Sequence, residues 1–239
     1  MQPGFIDQYS AIESPVRRLD PRVKTLCCFA FMAVVALTPL TAPLAFVIYA
    51  GLIGVVVLLS RLPLLFILKR SLVIIPFVAV IGLFNILFKP FSVFLWLMLR
   101  AWLSVLAIIV LAATTELPSL LKAFESLGLP TLITSILAFM YRYIFVLVDR
   151  VTTLEKARLA RSYGRLGFRQ MKAMGGILGS LFITTYERGE RIYLAMLARG
   201  YHGHAHIIRP FQLTLYDVTA AVIFLSFLAA SLAYAYLLW

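Results

Sequence analysis

The sequence predicts an all-α integral membrane protein with about five transmembrane helices and a cytoplasmic domain of crossed amphipathic helices. Of its 239 residues, 62% are hydrophobic, and the mean hydropathy is +0.97. The apolar residues fall in runs long enough to cross a hydrocarbon core of about 30 Å, which takes roughly 20 helical residues. The 22 Lys and Arg residues outnumber the 10 Asp and Glu residues. In a membrane protein this excess indicates cytoplasmic loops and contacts with anionic lipids, so we expect a lipid membrane and no nucleic acid as partner.

Residues 1 to 24 are predicted to form a cytoplasmic segment ahead of the first apolar run. Pro15 and Pro21 restrict its backbone, and several basic residues precede the membrane. This polar stretch is too long for the charged region of a cleavable signal peptide. In the run that follows, the adjacent Cys27 and Cys28 predict free thiols that face the core or the lipid.

Four transmembrane helices are predicted within residues 25 to 115. The apolar run 26 to 59 is too long for one helix and is broken only at residues 38 to 43, which predicts a hairpin of two spans. A basic loop with Arg61, Lys69 and Arg70 follows. A third span is predicted at about 72 to 88, bent by Pro76, and a fourth at about 91 to 113.

The last predicted span, about 218 to 239, lies in a final segment that begins at residue 210. The N-terminal segment is basic, and the four connections that follow it are in turn uncharged, basic, nearly neutral and strongly basic. The positive-inside rule therefore predicts a cytoplasmic N-terminus, a cytoplasmic segment 116 to 209, and a C-terminus outside.

Residues 131 to 148 are apolar enough to span, but we predict that they lie at or below the cytoplasmic interface. If they crossed, the many basic residues between 150 and 209 would all lie outside. Their apolar residues recur with a period near 3.6, which predicts a long amphipathic helix that continues to the region of Arg161. Shorter amphipathic helices are predicted at 117 to 127, before Gly128 and Pro130, and at about 176 to 199. Glycines at 175, 176 and 179 would allow the latter to cross a neighbour closely.

One seven-residue pattern occurs twice in the cytoplasmic segment. The copies are Ala157-Arg158-Leu159-Ala160-Arg161-Ser162-Tyr163 and Ala195-Met196-Leu197-Ala198-Arg199-Gly200-Tyr201. Each places an arginine near a helix C-terminus, where a cation also complements the helix dipole without any partner. The repetition nevertheless favours two equivalent docking contacts. Small residues let a helix end enter a groove, and arginine supplies a planar fork of donors. The predicted docking residues are Ala160, Arg161, Ser162, Ala198, Arg199 and Gly200, and a dimeric ATPase would suit two such tips.

No catalytic constellation is recognisable in the sequence. It contains no phosphate-binding glycine loop and no His-Glu-x-x-His motif, and residues 21 to 115 contain no acid. The chain is therefore predicted not to be an enzyme and not to hydrolyse ATP itself. A stand-alone membrane enzyme is the weaker alternative, because it would require an acid or metal cluster.

Three other polar features are candidate sites. Arg100 in the fourth span could serve a self-contained carrier or could simply snorkel to the surface, and Asp217 is the only acid near the spans that could pair with it. Every second residue from His202 through His204 to His206 is a histidine, a spacing that can bind a transition metal. Because no carboxylate is near, a solvated turn is favoured and no metal is predicted. Asn85 is a candidate for a helix contact or a ligand.

Four short motifs of the chain together match one transporter family. The N-terminal signature consists of Ser14, Pro15, Arg18, Leu19, Asp20, Pro21, Arg22 and Lys24. Leu127-Gly128-Leu129-Pro130 provides a mid-chain turn, and the Ala-Arg-small tips at 160 to 162 and 198 to 200 complete the set. With these motifs the chain resembles the transmembrane T components of energy-coupling factor transporters, most closely the cobalt-type, CbiQ-like branch.

This resemblance implies a non-catalytic scaffold subunit in a prokaryotic plasma (inner) membrane, with residues 116 to 209 as its coupling-helix domain. Arg161 and Arg199 would each dock on one of two ABC ATPase subunits, which would bind ATP and Mg²⁺, and this chain would bind no cofactor directly. A separate membrane S component would hold the substrate. Cobalt is the implied cargo, and nickel or a vitamin remains the alternative.

Overall fold

The computed structural model describes residues 14–39, 43–61, 63–72, 76, 79–80, 91–161, 168–201 and 214–237, and the regular structure in these ranges is helical. The helices are α1 (Pro15–Arg18), α2 (Pro21–Leu37), α3 (Pro43–Leu59), α4 (Leu64–Leu72), α5 (Phe91–Thr114), α6 (Leu117–Ser126), α7 (Thr131–Arg161), α8 (Phe168–Ala198) and α9 (Leu215–Leu237). They divide into two units, one of residues Met1–Leu127 with Pro210–Trp239 and the other of residues Gly128–Arg209. The predicted all-α membrane fold is confirmed.

Two consecutive helices, α2 and α3, occupy the region where a hairpin of two spans is predicted, and their crossing of the membrane stays a prediction. Leu37 ends α2, and Pro43, which is already restricted to a helical φ, begins α3. Between them Thr38 donates its hydroxyl to the Val34 carbonyl at 2.7 Å and lies 3.0 Å from the Tyr49 hydroxyl of α3. The threonine thus ends one helix and joins it to the next.

The core of the first unit lies where α2 and α3 each pack against α5 and α9. Its fully buried side chains include Phe31, Phe46, Tyr49, Leu103 and Leu228. The Phe31 and Tyr49 rings meet edge to face with centroids 6.1 Å apart. Lipid tails are as apolar as leucine, so close packing of this kind, rather than exclusion of water, holds membrane helices together.

Three of the described helices are long and apolar enough to cross a membrane, in the segments Ser92–Thr114, Thr131–Ala160 and Leu215–Leu237. The first and last match the predicted fourth and final spans, although α9 begins at Leu215 rather than 218. The apolar α3 is shorter, at 17 residues. Because length and composition also permit Thr131–Ala160 to cross, the interfacial position of residues 131 to 148 stays a prediction based on charge.

The region between the second and third predicted spans differs from the prediction, because part of the expected loop is helical. Lys69 and Arg70 lie in the last turn of α4, which buries Ile67 and exposes both cations. Arg61 occupies the preceding turn with a positive φ of 51°. Most of the predicted third span, with Asn85, lies outside the described residues.

The helix α6 also differs in its grouping, because it packs on α2 in the first unit. Its buried residues are Leu121 and Ala123, and its Phe124 ring lies 6.1 Å from that of Phe29. The sequence-based boundary at residue 116 had placed this helix with the cytoplasmic segment. Its amphipathic pattern is present as predicted, but the surface that covers its apolar side belongs to α2.

The second unit contains α7 and α8, which are 31 residues each and contact one another. The predicted continuation of α7 to Arg161 is confirmed, whereas α8 begins at Phe168, before the predicted start at 176. Gly175, Gly176 and Gly179 lie within α8, and a Cβ built on any of them meets nothing within 4 Å. Among the described residues, therefore, no neighbouring helix crosses closely at these glycines, contrary to the expectation.

Candidate docking site at the helix tips

The second Ala-Arg-small motif forms the C-terminal cap of α8. Gly200 adopts a positive φ of 79°, a conformation that glycine adopts without strain. Its amide donates to the Leu197 carbonyl at 3.0 Å, and the Tyr201 amide donates to the Met196 carbonyl at 3.0 Å. These two bonds define a Schellman motif, in which glycine directs the chain away from the helix. Arg199 precedes the glycine and is exposed.

The first motif lies at the C-terminal end of α7. Ala160 is exposed, Arg161 is the last residue of the helix, and Leu159 beside them is 57% exposed. Ser162 and the side chain of Arg161 lie outside the described residues. The structure therefore places both motifs at the C-termini of the two long helices of one unit.

A cavity of about 860 Å³ opens between α7 and α8 next to the second motif. Its walls include Tyr143 of α7 and Tyr193 of α8, and both Met196 and Tyr201 of the cap line it. In a Schellman motif, the residues at the positions of Met196 and Tyr201 are commonly in hydrophobic contact. Arg150 and Arg188 also line the cavity. Sequence reasoning missed this groove, because it depends on how two distant helix segments pair.

The N-terminal signature consists mainly of helix caps. Ser14 accepts the Arg17 amide at 3.2 Å and Asp20 accepts the Arg22 amide at 2.9 Å, while Pro15 and Pro21 occupy the first helical positions. Such caps satisfy amides that a helix leaves unpaired. Leu19 connects the two helices, and the side chain of Arg18 is outside the described residues.

Lys24, the last residue of the signature, links α2 to α5. It is buried, and its ammonium donates to the Thr114 carbonyl at 3.2 Å. Nearby, the Arg17 guanidinium forms an ion pair with Glu116 at 3.2 Å. The Lys24 contact satisfies a carbonyl at the C-terminus of α5, where a cation is also favoured by the helix dipole.

Asp217 joins this cluster from α9, although sequence reasoning considered it only as a partner for Arg100. One carboxylate oxygen accepts the Asp20 amide at 3.1 Å, and the other accepts the Thr214 amide at 2.9 Å and the Thr214 hydroxyl. Thr214 and Asp217 have the spacing of a capping box, which was the available signal in the sequence. No signal in the sequence indicated the contact with Asp20, which lies 197 positions away.

Arg100 has a backbone partner rather than an acid. Its guanidinium donates to the carbonyl of Thr38, at the C-terminal end of α2. Intramembrane cations commonly bond to backbone carbonyls, and this contact gives Arg100 a structural role.

No group of three or more His, Cys, Asp or Glu residues among the described ranges could hold a metal ion. His202, His204 and His206 lie outside those ranges. Cys27 and Cys28 are free thiols, the first half-buried and the second buried, as predicted.

Comparison with known proteins identifies a family over most of the chain. The CbiQ family, described as "Cobalt transport protein", matches residues 13–209. "Uncharacterized protein MJ1571" of Methanocaldococcus jannaschii is 30% identical over 86% of this chain and 78% of its own length. The "Energy-coupling factor transporter transmembrane protein EcfT" of Bacillus selenitireducens is 31% identical over 96% of each chain. Its namesake in Limosilactobacillus fermentum is 29% identical over 85% of this chain and 86% of its own. The chain therefore belongs to the CbiQ family and is a transmembrane T component of the energy-coupling factor transporter type.

Proposed function

We propose that this chain is the non-catalytic subunit that couples two ABC ATPase subunits to a substrate-binding S component in the membrane. The observation that carries the proposal is that the same Ala-Arg-small motif ends both long helices of the second unit. Two equivalent tips suit two equivalent docking grooves, as a pair of ATPase subunits would present. ATP and Mg²⁺ would bind to those subunits, and their closure would move the tips.

The geometry of the α8 cap favours docking over simple dipole compensation by Arg199. Backbone amides already bond the carbonyls of Met196 and Leu197, so the end of the helix is satisfied without the side chain. Within the described residues the Arg199 side chain is exposed and has no recorded hydrogen bond or ion pair. A guanidinium presented on a fixed turn loses little freedom when it binds a carboxylate or backbone carbonyls of a partner.

The orientation of the chain is proposed from charge and from the first unit. Lys24 and Asp217 bring the N-termini of α2 and α9 together with the C-terminus of α5. These three helix ends flank the most basic parts of the sequence, so the positive-inside rule places them, and the N-terminus, in the cytoplasm. The second unit would then face the cytoplasmic ATPases, with residues 131 to 148 at the interface.

Cobalt is the proposed cargo, supported by the description of the family model. The printed names of the EcfT relatives specify no cargo. Nickel or a vitamin is the alternative, because selection would rest with the S component rather than with this chain.

The docking proposal is tested by replacing both tip arginines. Arg161→Ala combined with Arg199→Ala should leave insertion and folding intact and abolish co-purification of the ABC ATPase from source membranes. Arg142→Ala, which removes an exposed arginine in the middle of α7, is the matched control and should retain the ATPase. Undiminished association in the double variant would contradict the assignment.

A further inference from the structure

We infer that the N-terminal signature holds the end of α5 and the start of α9, between which the chain forms the second unit, in one partly buried cluster, which we term the N-terminal anchor. It comprises Arg17, Asp20, Lys24, Thr114, Glu116, Thr214 and Asp217. The inference rests on the proposed coupling function and extends it, because it assigns positioning residues that lie in the first unit and outside the two tips.

The connection that leads into the second unit is held at two consecutive places. Lys24 bonds the Thr114 carbonyl at the end of α5, and Arg17 pairs with Glu116 immediately after it. From there α6, which packs on α2, runs to Ser126, two residues before the second unit begins at Gly128. The residues that follow α5 in the first unit are therefore held on α1 and α2.

The first described residues after the second unit are held by the same segment. That unit ends at Arg209, and five residues later Thr214 begins the cap of α9. Asp217 in this cap accepts the Asp20 amide at 3.1 Å. The end of α5 and the first turn of α9 are thus both bonded to the first turn of α2, where Asp20 and Lys24 are four residues apart.

Burial makes this arrangement specific. Asp217 is 2% exposed, Asp20 5% and Lys24 9%. Buried charged groups are costly unless they are hydrogen-bonded, so each must keep its partners. In this arrangement both Asp217 oxygens and the Lys24 ammonium are hydrogen-bonded, whereas Asp20 Oδ2 has no partner among the described residues. If the tips of α7 and α8 move under the ATPases, a fixed anchor keeps the end of α5 and the start of α9 in place, so less of that movement is lost within the first unit.

Asp217→Asn tests the anchor with little change in shape, because the amide nitrogen cannot accept the bond that a carboxylate oxygen accepts. The complex with its native ATPases and S component is reconstituted in proteoliposomes, and Co²⁺ uptake is divided by ATP hydrolysed. We expect this ratio to fall about fivefold, the lower range of coupling between distant sites. ATPase association and the yield of folded protein should be unchanged. Asp149→Asn, an exposed acid of α7, is the matched control and should keep the wild-type ratio.

A charge exchange provides a second test if Asp217→Asn fails to fold. Arg17 and Glu116 are partly exposed, with side chains 36% and 50% accessible, so their replacement is tolerable. Arg17→Glu should lower the uptake-to-hydrolysis ratio, and adding Glu116→Arg should restore part of it. A purely stabilising role would change the yield of protein and leave the ratio unaltered. A wild-type ratio in Asp217→Asn or Arg17→Glu would overturn the inference.

Hydrogen exchange tests the anchor without any assumption about cargo. The amides of Asp20 and Thr214 donate to Asp217, so the peptides that contain them should remain protected in both ATP-free and ATP-bound complexes. Faster exchange on ATP binding would show that the anchor opens and would refute a fixed role. If the wild-type chain fails to bind an ATPase at all, the proposed function itself is refuted, which separates that failure from a failure of the anchor.

Discussion

Replacing Gly200 by alanine should weaken ATPase docking through the backbone alone. The glycine has a φ of 79°, and a Cβ built on it meets nothing within 4 Å. The substitution therefore introduces no clash with a neighbour, and its cost is that of an L-residue in the left-handed region, about 1–2 kcal/mol. Because the free helix end can relax to another conformation, the partner must restore the cap on binding.

That cost sets the expected change in affinity. A free-energy difference of 1–2 kcal/mol corresponds to an increase in Kd of roughly 5- to 30-fold. Gly200→Asn should have a smaller effect, because asparagine tolerates the left-handed region better than alanine. The measurement is the Kd between the purified ATPase and the chain in lipid nanodiscs, determined by biolayer interferometry.

Gly179→Ala is the matched control in the same helix. Gly179 lies in the interior of α8, and a Cβ there also meets nothing within 4 Å. Alanine should stabilise this helix by about 0.5–1 kcal/mol and leave the Kd unchanged. Equal weakening by both substitutions, or no weakening by Gly200→Ala, would refute the role of the cap.

Three further predictions concern the membrane helices and their orientation. Arg100→Ala should lower the free energy of unfolding by about 1–3 kcal/mol, because the buried Thr38 carbonyl loses its side-chain donor. Titration with a denaturing detergent measures this free energy. An unchanged unfolding midpoint would contradict the prediction. Asp20→Ala should lower the free energy of unfolding by about 1 kcal/mol in the same assay, because α2 loses its N-terminal cap. A loss no larger than that of an alanine substitution on the surface would contradict this prediction. Gly167→Cys, in a chain with both native cysteines replaced, should react with an impermeant reagent only from the cytoplasmic side; labelling from outside would mean that residues 131 to 148 span.

The helices themselves were largely predictable, because their limits depend on nearby residues. The uncharged break between Thr38 and Pro43 separates α2 from α3, and the 3.6-residue apolar period carries α7 to Arg161. The uncharged break and the apolar period both lie within a few helical turns of the helix ends that they predict. The repeat of Ala, Arg and a small residue was likewise visible because each copy is a local cap pattern.

What could not be predicted depends on contacts between distant segments. The sequence pattern shows that α6 has an apolar side but not that α2 covers it, and Asp217 offers no sign that it accepts the amide of Asp20. The start of α8 was missed because its first residues, from Phe168, include several polar side chains and lack a clear cap. Helical periodicity reports which side of a helix is buried and leaves the identity of its neighbour open.

The most direct test of the central claim is the mass of the intact complex purified from source membranes in mild detergent, determined by native mass spectrometry. The account predicts this chain together with two ABC ATPase subunits and one small hydrophobic membrane protein, and loss of both ATPase subunits in the Arg161→Ala, Arg199→Ala double variant. A wild-type mass that corresponds to the chain alone, or to copies of it without any ATPase, would contradict the account.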